Sequence, residues 1–111
     1  MLTTPGLDGV FRALGDRTRR AIVERLEGAP ETTGALIEAF PSLSRAAVMK
    51  HLAVLERAGL VRVKRDGRFR WNELERNPLA TADEWLARHV ERRRDMGMRL
   101  KMVAEELEDN A

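Results

Sequence analysis

Apolar residues recur at helical spacing through the first half of the chain. They switch to strict alternation in a short central stretch and return to helical spacing near the end. Leu7, Val10, Phe11 and Leu14 form one stripe, closed by Gly15, and predict a short helix over 7–14. Asp16 is a good N-cap for a second helix, over about 17–27, with Ile22, Val23 and Leu26 as its stripe and Gly28 and Pro30 as its stop. Thr32 or Thr33 caps a third helix bearing Leu36, Ile37 and Phe40, and Pro41 ends it. Ser42 or Ser44 caps a fourth, which runs to Ala58 with Gly59 just past its end. Leu60–Arg65 and Arg68–Trp71 then alternate apolar and basic about Asp66-Gly67, a strong signal for a tight hairpin. After Asn77-Pro78 a last helical stretch extends to Glu108.

The third and fourth helices are separated only by Pro41-Ser42-Leu43, the spacing of a helix-turn-helix, and a basic hairpin follows at once. The expected fold is therefore mainly α with a small β-hairpin, a winged helix-turn-helix. One domain spans 1–111, with a DNA-reading core over 8–76 and a dimerisation helix over 79–108.

At 100° per residue, Val48, Leu52 and Leu55 of the fourth helix fall together, flanked by Ala47, His51 and Ala58. The opposite face carries Arg45, Ala46, Met49, Lys50, Ala53, Glu56 and Arg57. Small side chains beside cations suit a helix whose backbone enters a major groove. His51, at the edge of the apolar face, is expected to be a packed structural residue. In the hairpin, Val61, Val63, Phe69 and Trp71 are expected on one face and Arg62, Lys64, Arg68 and Arg70 on the other, with Arg65, Asp66 and Gly67 at the tip. Wings of this kind track phosphates or enter the minor groove. The candidate DNA-binding residues are Ser42, Ser44, Arg45, Ala46, Met49, Lys50 and Arg57 from the fourth helix and its approach, and Lys64, Arg65, Arg68 and Arg70 from the wing.

Charge sharpens this picture. The 111 residues carry a net charge of only +2, but residues 42–76 alone hold +5 while the flanking thirds are slightly acidic. Of the 20 cations, 17 are Arg, which forks onto phosphates and guanine edges as Lys cannot. Concentrated positive charge of this kind is the footprint of a polyanion partner, here double-stranded DNA. The absence of cysteine excludes disulfides, thiolate metal sites and Cys nucleophiles. No apolar run reaches the length of a membrane span, and no signal peptide is read, so cytoplasmic localisation is expected. With two His, no Gly-rich phosphate loop and no nucleophile beside an evident base, the chain does not read as an enzyme, and no cofactor is expected.

Leu79, Ala82, Leu86, His89, Arg93, Met96, Leu100, Val103 and Leu107 recur at alternating three and four, an a/d seam on the last helix. A helix over 79–108 is about 45 Å long, longer than a small domain is wide, so part of its seam is expected to find cover elsewhere, most simply on a second copy, the alternative being that it only wraps its own core. Trp85 is expected where this helix crosses the domain.

The segments LGDRTRRAIV (14–23) and LSRAAVMKHLAVLERAGLV (43–61) resemble the ArsR/SmtB family of winged-helix repressors, and the resemblance extends over about residues 8–90. It implies a homodimer that represses transcription from an inverted-repeat operator, with Ser44–Ala58 as recognition helix and Val61–Trp71 as wing. Metal-sensing members carry a Cys-x-Cys motif where this chain has Thr33–Phe40, and Asp83 and His89 are six apart, nearly opposite on a helix. The resemblance is thus to the metal-free branch, and an unidentified effector stays open as a further partner. Two other readings stand beside this one: a winged helix used only for protein contacts, and a metal-responsive repressor with an atypical site.

Overall fold

The structure, a computed structural model, describes residues 6–109, with backbone alone at 92–94 and 109. Its elements are α1 (Leu7–Leu14), α2 (Arg17–Leu26), β1 (Glu31–Thr32), α3 (Thr33–Ala39), α4 (Arg45–Arg57), β2 (Val61–Asp66), β3 (Phe69–Leu74) and α5 (Asn77–Asp109). Of the alternative caps, Thr32 and Ser44 are the ones used. The Thr32 hydroxyl accepts from the Ala35 amide and the Ser44 hydroxyl from the Ala47 amide, each at 3.1 Å. The end of α4 is a Schellman motif: Gly59 has φ +78°, its amide donates to the Glu56 carbonyl, and the Leu60 amide donates to the Leu55 carbonyl. That turn drops Leu60 into the core and starts β2.

Ile22, Leu36, Val48, Leu55 and Leu60 are fully enclosed at the centre of the domain. Leu7, Val10 and Ala13 of α1, Val23 and Leu26 of α2, Leu52 of α4, Val61 and Ala82 complete the cluster. The stripes read from the sequence for α1 to α4 thus point to a single interior.

The sheet departs from expectation in two respects. It has three antiparallel strands in the order β1-β3-β2, because Glu31 and Thr32 pair with Asn72 and Trp71. Two residues show no alternation, so β1 carried no periodic signal. The hairpin also turns one residue later than expected, at Gly67-Arg68, and β3 continues to Leu74. Gly67 alone takes a positive φ (+61°), which suits a loop with glycine first. In the resulting register Val63 faces Asn72, Lys64 faces Trp71 and Asp66 faces Phe69. A two-residue loop makes cross-strand partners differ in parity, so Phe69 and Trp71 share the face of Arg62 and Lys64, not that of Val61 and Val63. Both rings are exposed, to 50% and 37%. Arg70, expected on the solvent face with Arg68, shares the inner-face parity of Val63 and Asn72 and is only partly buried.

Asn72 fastens the short strand. It is completely buried, and its side-chain amide donates to the Glu31 carbonyl (3.2 Å) and the Thr33 hydroxyl (3.0 Å). Arg25 closes the same corner from α2 with a forked pair onto the Glu31 carboxylate.

The a/d seam of α5 divides. Ala82 is buried in the chain's own core and Leu79 packs against it, so the uncovered part of the seam begins at Leu86. Trp85 meets Phe11 of α1 edge to face at 5.6 Å and stacks on His89. Beyond this, Leu86, Met96, Leu100, Val103 and Leu107 are 47–66% exposed, and His89 is exposed too. The Arg93 side chain lies outside the described residues. A helix of 33 residues is about 50 Å long, and the overall extents of 75 × 33 × 21 Å show α5 projecting from the body.

Replacing Asn72 by Ala is expected to lower stability by about 1–3 kcal/mol, since a buried carbonyl and a buried hydroxyl lose their donor. Urea unfolding of both proteins measures this. An unchanged midpoint would show that β1 does not depend on the asparagine.

Candidate nucleic-acid interface

Burial of Val48, Leu52 and Leu55 fixes the rotation of α4 about its axis. Arg45, Ala46, Lys50, Ala53 and Arg57 are consequently exposed on its far side, with Met49 half-buried at the edge and Ser42 exposed in the preceding turn. These positions form one outward surface, as the angular reading expected. Ser44 lies at its start but has its oxygen committed to the cap.

The position of α4 is also held from behind, by the corner between α1 and α2. Asp16 accepts from the amides of Thr18 (2.9 Å) and Arg19 (3.1 Å) and so caps α2. Arg19 reaches back to the open end of α1, donating through Nε to the Ala13 carbonyl (2.7 Å) and through Nη2 to the Arg12 carbonyl (3.1 Å). Arg20 donates to the Leu14 carbonyl (2.7 Å). The Ala13 and Leu14 carbonyls, of the kind a helix leaves unpaired at its C-terminus, are thereby satisfied by two adjacent guanidinium groups, and the Arg12 carbonyl, which also accepts the Gly15 amide, gains a second donor. The remaining Arg19 nitrogen, Nη1, lies 3.2 Å from His51 Nδ1. A guanidinium only donates, so this ring nitrogen accepts. His51 is thus a link between α4 and the α1–α2 corner, the structural role expected of it. The role of Arg19 and Arg20 was missed because carbonyl capping across a turn has no fixed sequence spacing.

The wing cations are less free than the alternation suggested. Extending β3 to Leu74 brings Glu73 beside them: Arg62 pairs with Glu73 (3.2 Å) and Glu75 (3.1 Å), and Lys64 with Glu73 (3.3 Å). Hydrogen bonds from Arg62 and then Lys64 hold the Glu73 carboxyl below its ordinary range. Arg70 pairs with Glu56 of α4 at 3.2 Å, which ties the wing to the helix beside it. Exposed pairs of this kind are worth at most about 1 kcal/mol each, so a phosphate can compete for the cations. Among the described residues, Arg45, Lys50, Arg57 and Arg65 make no ion pair, and Arg68 lies over the Phe69 ring, 5.7 Å from its centre. Within α4 and the wing, the unpaired cations therefore lie on the outer face of the helix and at the wing tip. Between them is a concavity of about 280 Å³, lined by Thr33, Arg45, Met49, Arg68, Phe69 and Arg70.

A model described as a helix-turn-helix domain matches residues 14–64. YuzN of Bacillus subtilis (strain 168), an uncharacterized HTH-type transcriptional regulator, is 44% identical over 78 residues, which cover 65% of this chain and 85% of that protein. The transcriptional repressor SdpR of the same organism is 30% identical over 84 residues, 76% of this chain and 92% of the relative. The crystal structure of an ArsR family transcriptional regulator superposes with a TM-score of 0.74 at 37% identity, covering 82% of this chain and 94% of that one. The chain belongs to the ArsR family of transcriptional regulators. An ArsR-like regulator from Rhodococcus sp. RHA1 matches a longer stretch, 91% of this chain and 92% of its own, with a TM-score of 0.80 at 31% identity. In this ArsR-family chain α3 and α4 are the helix-turn-helix and β2–β3 the wing. No described helix is long and apolar enough to cross a membrane, and no three described His, Asp or Glu side chains converge as metal ligands.

The Asp16 carboxyl is held below its ordinary pKa, chiefly by the Arg19 amide and, against the opposing pull of burial, by His51 and the Thr18 amide. A depressed native pKa adds stability above the unfolded-state value and loses it as pH falls through the native one. Asp16→Asn keeps an acceptor at the cap without the titration. It is expected to be less stable than wild type at neutral pH and to show a shallower loss below the ordinary carboxylate range. Thermal melts across that range check this; parallel curves would assign the acid sensitivity elsewhere.

Proposed function

We propose that this ArsR-family regulator is a homodimeric repressor that binds an inverted-repeat operator, with α4 as base reader and the wing as phosphate contact. The observation that carries the reading is the outward surface of α4. Ala46 and Ala53 let the backbone approach the groove, while Arg45, Met49 and Lys50 in its first turns reach farthest into it. Arg45 is assigned to base edges and Lys50 to bases or phosphates, while Ser42, Ser44 and Arg57 contact the backbone at the margins. Lys64, Arg65, Arg68 and Arg70 are assigned to phosphates. Repression is supported by the likeness to SdpR, itself named a transcriptional repressor.

The homodimer reading rests on α5. Leu86, Met96, Leu100, Val103 and Leu107 leave a long apolar stripe in water, and a second copy running alongside it is the simplest cover. Two copies related by a two-fold axis would set their α4 helices about one DNA turn apart, hence an inverted repeat.

Two measurements test this. Selection of bound fragments from random DNA is expected to yield an inverted repeat. In that assay Arg45→Ala relaxes preference at one symmetric pair of positions, where a good base contact is worth about 1–3 kcal/mol. Arg68→Ala instead weakens all sequences alike and flattens the salt dependence by about one unit per protomer. A reversed pattern would make the wing the reader. In light scattering, the wild type is expected to run as a dimer at micromolar concentration and Leu100→Glu with Val103→Glu as a monomer; a monomeric wild type would refute the assembly.

A further inference from the structure

Phe69 is an aromatic residue that the reading above leaves without a role. It is 50% exposed next to the wing tip, turned away from the core by the hairpin register, and lies beneath the Arg68 guanidinium. It also lines the concavity between wing and recognition helix, whose other walls include Arg45, Met49, Arg68 and Arg70. The Cβ position of Gly34, which lines the same recess, has open space around it.

The chemistry of this recess is mixed in a particular way: three Arg residues and one half-exposed Phe line a space of about 280 Å³. An apolar protein surface would have to strip water from the guanidiniums without returning hydrogen bonds. A sugar-phosphate chain offers both halves of the match, anionic oxygens and the carbon face of the deoxyribose. The topology of the duplex points the same way. With α4 in a major groove and the wing beside it, the feature passing between them is the ridge of one strand's backbone.

We infer that the recess seats this backbone ridge, with Phe69 packed on deoxyribose carbons between phosphates taken by Arg68 and Arg70. Arg70 spends one terminal nitrogen on Glu56 and keeps its other N–H groups for a phosphate oxygen. Phe69 is thus a DNA contact that reads no base and neutralises no charge. The inference rests on the DNA-binding reading and extends it to a residue outside the basic set.

The test is binding to a random-sequence duplex about three helical turns long, at several salt concentrations. Phe69→Ala is expected to weaken binding about tenfold at every salt concentration, because a half-exposed ring loses its burial, with the salt slope unchanged. Phe69→Leu is expected to recover most of the loss, which also controls for disturbance of the wing. Unchanged affinity for Phe69→Ala would overturn the inference. So would a flattened slope, or a loss restricted to certain base steps, which would mark a charge effect or a wedge between bases instead. A wild-type protein that fails to bind the duplex at low salt would refute the DNA reading itself, an outcome distinct from the others.

Discussion

Val48, Leu52 and Leu55 are the only part of α4 enclosed by the protein, and the domain is organised around that limit. A helix proposed to enter a groove can be held from one side only, so its ends and its rear carry what its front cannot. The Ser44 cap and the Schellman turn at Gly59 satisfy the ends with backbone and hydroxyl groups that take up no outward surface. The rear is held twice, by apolar packing against Ile22 and Leu36 at the centre and by the His51–Arg19 contact at the edge. Arg19 is itself fixed by two carbonyls of α1. The orientation of the outward face thus depends on the packing of α1 and α2 as much as on α4.

The same economy governs charge. The basic middle third would repel itself if left open, yet it cannot be neutralised where it has to meet a polyanion. The structure separates the two demands along the hairpin. Near its base, Arg62 and Lys64 are balanced by Glu73 and Glu75, and hydrogen bonds from Arg62 and then Lys64 hold the Glu73 carboxyl below its ordinary pKa. Toward the tip, Arg65 and Arg68 are unbalanced, and Arg70 between these zones is shared with Glu56. Among the described residues, the cations along the hairpin are thus paired near the base and unpaired toward the tip, as Arg45 and Lys50 are on α4.

Legibility from sequence followed the range of the interaction. The helices were readable because stripe, cap and stop all lie within a few residues: α1 has its expected bounds, and α2 and α4 end within a residue of theirs. The sheet was less so. β1 is defined only by partners forty residues away, and the faces of β3 depend on where the loop turns, which Asp66-Gly67-Arg68 leaves open by one residue. That single shift moves Phe69 and Trp71 from interior to surface. For the interface, the α4 surface was legible by angle. The pairing of Lys64 and Arg70, the capping by Arg19 and Arg20, and the exposure of Phe69 were not, because each depends on a neighbour that only the fold supplies.

The two ends of α5 do different work, and the boundary between them is set by packing. Through Ala82 and Trp85 the helix belongs to the domain: Ala82 is small enough to sit flush on the core, and Trp85 grips Phe11 of α1 edge to face. Past His89, which stacks on Trp85 and lies within hydrogen-bond distance of its carbonyl, nothing described in the chain covers the apolar side chains. The rigid first part fixes the direction in which the rest projects. Because α1 meets α5 through Phe11 and meets α4 through the carbonyls that hold Arg19, an unbroken set of packed contacts runs from the projecting helix to the recognition helix. Any rotation of α5 on α1 must either strain the Phe11–Trp85 contact or turn α1, and with it the Arg19–His51 support of α4.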